Sequence, residues 1–431
     1  MKNIIKDLYK LNRTLLGEGI DNAFEYLKHL IDLDILEFET GTKLETWEVP
    51  PEWVVRGATI KHKGKTIVDY KDNPLSLTVY SRPFKGKITG KELKKHLSFV
   101  IPESLELSTC KDCNDLKCEV IEETCPYTYR FYDNYWGFGV PKHIFDSISD
   151  KKKYDIEIDT ELRKGTMKVG VHTIKGKTDK EILLLAHLDH PYQANDNLSG
   201  VACLVDIAKH LKGFEHTIKL IFCPETIGSI AYALTQDLSK VDYAIAVDAI
   251  GGDNTLLFQK SFNGEDSINK IVHIAIQNLG ISYRKGNFRH IVGSDEYAFC
   301  DPKIGIPAIM LSRIPYPEYH TSQDAPNIIK EDKLEEVQKA ILKIIEISEK
   351  DYIPVRKFKA PLMRSRYGFH TPHKTLNLSY DYMFYLMDGK KRLSELCCNF
   401  ALDFDHTYKH LKQMEKDGYI GRTSGSKKAQ Q

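Results

Sequence analysis

Five short runs constrain this chain most: KVGVHTI (168–174), EILLLAHLD (181–189), TIKLIFC (217–223), YAIAVDAI (243–250) and PAIMLSR (307–313). Each is short and mostly apolar, the pattern suited to strands covered on both faces. Between them lie the helical stretches SGVACLVDIAKHLKG and EDSINKIVHIAIQNLG. Strands of this kind separated by helices predict an α/β core with a mainly parallel central sheet over 163–352. Residues 5–36 add two short amphipathic helices broken at Gly17–Gly19, so 1–45 is assigned to the same core.

The remaining chain differs in character. From 46 to 162, TWEVPPEWVV, ATIKHKGKTIVDY and LSLTVYSRPFKGKITG are β-branched and aromatic runs punctuated by Gly and Pro, which predicts a small β-rich insert domain. The apolar stripe of Leu334, Val337, Ile341, Ile344 and Ile345 predicts a helix over 331–348 that closes the core. After Pro354 and Pro361, SYDYMFYLMDG, RLSELCCNF and DHTYKHLKQMEKDGYIGR read as three helices and a wing. A winged-helix domain is therefore expected over 362–425, ahead of a polar tail.

Charge decides what such a C-terminal domain can bind. Lys and Arg total 61 against 60 Asp and Glu, a net charge of +1. In the last helix region Asp403, Asp405, Glu415 and Asp417 balance Lys409, Lys412, Lys416 and Arg422. A surface that neutralises phosphates needs a basic surplus, so nucleic acid is not an expected partner and docking or homo-oligomer formation is. No window approaches the ~18 apolar residues of a membrane span. Charges interrupt the apolar runs of MKNIIKDLYKLNRTLLGEG, so no leader peptide is read there and the cytoplasm is the expected location.

The residues that carry chemistry stand at the ends of the apolar runs. His187-Leu188-Asp189 follows EILLLA, Asp196 lies in AlaAsnAspAsnLeuSerGly just ahead of a helix, and Glu225 follows TIKLIFCP. Asp248 ends the run YAIAVD, and His320 lies in TyrHisThrSerGlnAsp after PAIMLSR. Alone, such a His is usually structural and such an Asp a helix cap. Two histidines and three carboxylates at the carboxyl ends of strands in one sheet are the donor set of a two-metal hydrolase.

In this order, these motifs resemble the co-catalytic zinc aminopeptidases, relatives of bacterial leucyl aminopeptidase and glutamate carboxypeptidase. SerAspGluTyrAlaPhe (294–299) followed by GlyIleProAlaIle (305–309) fits the same pattern. With its insert and C-terminal unit the chain is similar, over nearly its whole length, to the aminopeptidase-like proteins encoded among polysaccharide-biosynthesis genes. The resemblance implies that Asp196 bridges two zinc ions, with His187 and Asp248 completing one site and His320 and Glu225 the other. It also implies a cis Asp196–Asn197 peptide bond and a role for Asp189 in orienting His187. Two zinc ions bring +4 against −3 from Asp196, Asp248 and Glu225, and a hydroxide completes neutrality.

The chain departs from that family at one point. Where the aminopeptidases carry Glu-Glu, a general base followed by a zinc ligand, this sequence has Pro224-Glu225-Thr226. Glu225 is then either ligand or base, with the ligand role slightly favoured. The resemblance therefore implies a zinc-dependent hydrolase cleaving an amide or peptide bond of a small substrate. The alternative is a scaffold of weak or no activity that binds or regulates. A second metal candidate is Cys110-x2-Cys113-x4-Cys118-x6-Cys125, four of the nine cysteines, which together can wrap one structural zinc. His190, Trp53 and Trp136 are further candidates to line a cleft, with packing the favoured role for both tryptophans.

Overall fold

The computed structural model describes residues 1–101, 121, 123–290, 292–369 and 378–423. Its centre is an eight-stranded sheet: β1 (Asp34–Glu39), β2 (Thr166–Ile174), β3 (Glu181–His187), β4 (Thr217–Cys223), β5 (Val241–Asp248), β6 (Leu256–Gln259), β7 (Tyr283–Gly286) and β8 (Ala308–Ser312). Their spatial order is β1-β2-β4-β3-β5-β8-β6-β7. The five apolar runs are all strands of this sheet. Leu183, Leu184 and Leu185 of β3 are completely buried, each contributing about 1.5–3 kcal/mol of apolar burial.

The sheet is mixed, not mainly parallel. β4, β3, β5 and β8 run parallel to one another, while β1 pairs with β2, β2 with β4, and β6 with β8 in antiparallel fashion. The connections explain this. Residues 175–180 and 249–255 are shorter than the dozen or so residues a parallel crossover needs, so β2 and β6 enter their pairings reversed. β1 occupies residues whose spacing reads partly as helix; its pattern of exposure is that of a solvated edge strand.

Helices α1 (Gly200–His210) and α2 (Ile227–Thr235) lead away from the loops after β3 and β4, and α3 (Glu296–Cys300) lies between β7 and β8. Gly200 lets α1 start against the sheet: a Cβ there would lie 2.3 Å from the Val247 carbonyl oxygen and 2.5 Å from Asn197 Oδ1. Two further helices, Lys2–Tyr9 and Glu18–Lys28, precede β1, with Gly17 at φ 118° opening the second.

Between β1 and β2 a four-stranded antiparallel sheet runs Lys65–Asp69, Glu52–His62, Lys153–Arg163 and Phe84–Thr89. Its core gathers Trp53, Ile60, Leu77, Tyr80, Phe138 and Ile156, so Trp53 is a packing residue. Trp136 stacks on His96 at 3.8 Å and on Phe84 at 4.3 Å.

The chain divides into two units, Met1–Phe262 with Arg284–Val337, and Asn263–Tyr283 with Gln338–Gln431. In the second, the helix Ser267–Asn278 packs on the helix Leu393–Asn399, which also meets Phe404–Lys416. Leu411 and Met414 are buried, Asp403 accepts from the His406 N–H at 2.7 Å, and Ile420–Arg422 pairs antiparallel with Pro354–Arg356. No helix among the described residues is long and apolar enough to cross a membrane.

Candidate metal centre

Register places the donor residues. The pairing of β3 with β4 sets His187 beside Cys223, two residues before Glu225, and the pairing of β5 with β8 sets Asp248 beside Ser312. The loops that follow these strands are tightly bent. His190, Thr226, Ala249 and His320 all have positive φ, between 49° and 69°. For Thr226, which is β-branched, φ 63° and ψ −62° make a strained position of order 1–3 kcal/mol, kept only where its surroundings enforce it. The Asp196–Asn197 peptide is cis, as the resemblance implies.

Asp196 lies at the centre. Its Oδ1 is 2.8 Å from His187 Nε2, and its Oδ2 is 3.0 Å from His320 Nε2 and 4.0 Å from His190 Nε2. Asp248 Oδ1 is 4.0 Å from His187 Nε2, and Glu225 Oε2 is 3.6 Å from His190 Nε2. All five residues proposed from the sequence as ligands therefore meet in one place, and His190 joins them. The Asp189 carboxylate faces His190 Nδ1 at 3.5 Å and accepts from the Glu225 N–H at 2.8 Å. His187 Nδ1 instead faces Asp295 Oδ2 at 3.5 Å and Ser294 Oγ at 3.4 Å.

Supporting residues fix this arrangement. Asp324 accepts from the N–H groups of Ala194, Asn195 and Asp196 and from the Tyr316 hydroxyl at 2.7 Å. Asn197 Oδ1 accepts from the Gly200 and Ala249 N–H groups, tying the turn before α1 to the end of β5. Arg13, wholly buried, donates to the carbonyls of Leu188, His190 and Gln193 at 2.7–2.9 Å and so grips the loop carrying Asp189 and His190. Asp295 accepts from the Thr226 N–H at 3.0 Å.

From the insert, Tyr127 sets its ring edge-on 5.1 Å from both His190 and His320, and its N–H donates to the His320 carbonyl at 2.7 Å. The sequence reading left out Arg13, Tyr127, Asp295 and Asp324 as site residues. Only the last two lie in motifs it had singled out.

The electrostatics are those of a cation site. Burial pushes the carboxyls of Glu225 and Asp248 up to about 7. Burial works against Asp196 too, but His190, His187 and His320 hold it well below the usual carboxylate range. Burial would lower His187, and the surrounding carboxylates, Glu225 and Asp248 first, outweigh it and raise the imidazole well above its ordinary value. Protons thus stand in for positive charge among packed carboxylates, which a bound cation displaces.

The donor atoms of His187, His190 and Asp196, and of His187, Glu225 and Asp248, lie within 4.8 Å of one another in each group. Asp248 Oδ1 is buried with no hydrogen-bond partner among the described residues, and mixed imidazole and carboxylate donors suit zinc. The residues present therefore fit the metal. Of the four-cysteine candidate, Cys110, Cys113 and Cys118 lie outside the described residues; Cys125 is a buried free thiol, raised to about 11 by burial.

Comparison with known proteins agrees with this architecture. A Clostridium acetobutylicum protein provisionally described as a polysaccharide biosynthesis protein with an aminopeptidase-like domain is 29% identical over 93% of this chain and 91% of its own. The crystal structure of a provisionally assigned peptidase from the same organism aligns with a TM-score of 0.80 at 27% identity, covering 98% of this chain and 96% of that one. BSAP, a zinc aminopeptidase from Bacillus subtilis, aligns with a TM-score of 0.57 at 15% identity over 80% of this chain and 93% of its own. A peptidase M28 precursor from Shewanella amazonensis gives 0.55 at 16% identity, over 80% and 92%. The fold is thus aminopeptidase-like, of the peptidase M28 type. A family model described as a domain of unknown function (DUF4910) matches residues 2–351, and the chain belongs to that family.

Proposed function

We propose that this chain is a zinc-dependent hydrolase of aminopeptidase type that cleaves an amide or peptide bond of a small substrate. The observation that carries the reading is the convergence of three imidazoles and three carboxylates from four strand ends on one largely buried point. His187, with Asp248 beside it, stands on the Oδ1 side of Asp196 and His320 on its Oδ2 side, and these residues would hold the metal with Asp196 shared between them. Zinc, when bound, supplies Lewis-acid polarisation of a scissile carbonyl and brings deprotonation of water toward neutral pH.

The protein residues do the rest. Glu225 is the most open carboxylate of the cluster, with 27% side-chain exposure against 4% for Asp196 and 5% for Asp248, so it faces the side from which substrate enters. Its Oε1 accepts from Ser294 Oγ at 3.1 Å, which leaves Oε2 turned toward the donors. Tyr127 and the half-exposed Tyr129 come from the insert and narrow the approach, which favours a short peptide or amide-bearing precursor over a folded protein. The relative's description joins an aminopeptidase-like domain to polysaccharide biosynthesis and suggests a precursor of that pathway.

In this reading the α/β core (1–45 and 163–352) carries the site, the insert (46–162) restricts it, and the winged-helix unit (362–425) serves docking or homo-oligomer formation in the cytoplasm. The test is turnover of a panel of aminoacyl amides by the purified full-length chain loaded with zinc or cobalt. Hydrolysis that is lost on chelation and restored by metal is the expected result. Metal bound with no turnover on any member of the panel replaces the hydrolase with the non-catalytic scaffold.

A further inference from the structure

We infer that His190 completes the second metal site together with Asp196 Oδ2 and His320, leaving Glu225 as the proton-accepting base. This rests on the hydrolase reading above and settles the question that Pro224-Glu225-Thr226 raises, since one carboxylate cannot serve well as both ligand and base.

The donors divide between the two oxygens of Asp196. Around Oδ1 stands His187, with Asp248 beside it; around Oδ2 stand His320 at 3.0 Å and His190 at 4.0 Å. His190 is 3% exposed, and its Nε2 is directed at Asp196 and Glu225. Its other nitrogen lies 3.5 Å from the Asp189 carboxylate, close enough for that carboxylate to orient the imidazole once it is bound. The backbone is arranged for this placement, with φ 69° at His190 and its carbonyl held by Arg13 at 2.7 Å. Glu225, by contrast, has one oxygen tied to Ser294 and the other 3.6 Å from His190 Nε2, on the open side. A carboxylate adjoining a metal site from the substrate side is placed to take a proton from the attacking water.

Two groupings rival this one: Glu225 with His187 and Asp248, and His190 with His187 on Asp196. The experiment that tests the assignment is metal counting on the metal-stripped full-length protein, titrated with Zn²⁺ and with Co²⁺, whose visible absorption reports the donor set. Wild type is expected to take two ions. His190→Ala is expected to keep one tightly and to bind the other at least ~100-fold more weakly. His190→Asp, which restores a donor, should recover the second ion, and its recovery shows that the loss is not one of folding. Glu225→Gln should bind two ions with an unchanged cobalt spectrum, and any turnover should fall by about 10²–10⁴-fold.

Two ions at wild-type affinity in His190→Ala, or loss of one in Glu225→Gln, overturns the assignment. A wild type that binds two ions but hydrolyses nothing sinks the hydrolase reading, while the ligand assignment still stands or falls on the two variants. A wild type that binds no ion overturns both.

Discussion

Glu296 shows how much one buried group can decide. Its Oε2 accepts from the Ser294 N–H at 3.0 Å and its Oε1 from Gln259 Nε2 at 3.0 Å, and burial pushes the carboxyl up to about 7 from its ordinary 4.5. An acid raised in this way binds its proton more tightly when folded. Its stabilising contribution is complete below about pH 4.5 and is lost as pH rises through about 7, a difference of roughly 3 kcal/mol. Glu296→Gln cannot titrate. Urea unfolding of the metal-stripped protein should therefore show the variant gaining stability over wild type by about 1–3 kcal/mol between pH 5 and pH 8; parallel pH profiles for the two would refute this.

Residue by residue, the sequence was informative where local context sufficed. His187, Glu225 and Asp248 stand at the ends of apolar runs, Asp196 stands just ahead of a helix, and His320 lies in the loop that follows the last run. Arg13 had no such signal, because in the N-terminal segment it reads only as a charge interrupting apolar residues. Its partners Leu188, His190 and Gln193 are 175 to 180 residues away.

At the level of elements, β3, β4, β5 and β8 were legible because burial on both faces writes a nearly unbroken apolar run, and the partly buried β2 was legible from its valines and other β-branched residues. β1, β6 and β7 were not: β1 is mostly solvated, and the other two are only four residues long. The pairing of the insert with the site was equally hidden, since it depends on main-chain bonds. The Ser322 N–H donates to the Cys125 carbonyl at 2.8 Å, the hydroxyls of Thr124 and Ser322 meet at 2.8 Å, and Tyr127 bonds the His320 carbonyl. These contacts join residues 124–127 and the His320 loop into one structural element.

Removing the ring at its centre should loosen both histidines it flanks. Tyr127→Ala is expected to cost about 3–5 kcal/mol, as for other large aromatic-to-alanine changes in cores. It should also speed zinc release to a chromophoric chelator by at least ~10-fold, while Tyr127→Phe, which keeps the ring, stays close to wild type. Equal release rates for Tyr127→Ala and wild type would show that the insert does not brace the site.

For the molecule as a whole, the family match ends at residue 351, but the fold does not divide there. The smaller unit is built from two separate stretches, Asn263–Tyr283 and Gln338–Gln431. Within it the helix Ser267–Asn278 packs on the helix Leu393–Asn399, and Lys270 pairs with Glu395 at 3.1 Å. Lys343, from the helix Glu331–Lys350, pairs with Asp405. A chain cut to 1–351 keeps the mid-chain helix and loses the residues it packs against. Buried apolar side chains of that helix, among them Ile268, Ile271, Val272 and Ile274, then have fewer partners to cover them. Exposed apolar surface of this kind promotes association.

The candidate ligands, in contrast, all belong to the larger unit, whose strands and loops the cut leaves intact. The truncated chain is therefore expected to bind a hydrophobic dye, melt at lower temperature and aggregate at concentrations where the full chain does not, yet retain zinc in the full chain's stoichiometry. A 1–351 chain that stays monomeric and dye-free with an unchanged melting temperature would show that the tail is an independent appendage. One that loses zinc would show that the site depends on a unit contributing none of its proposed ligands.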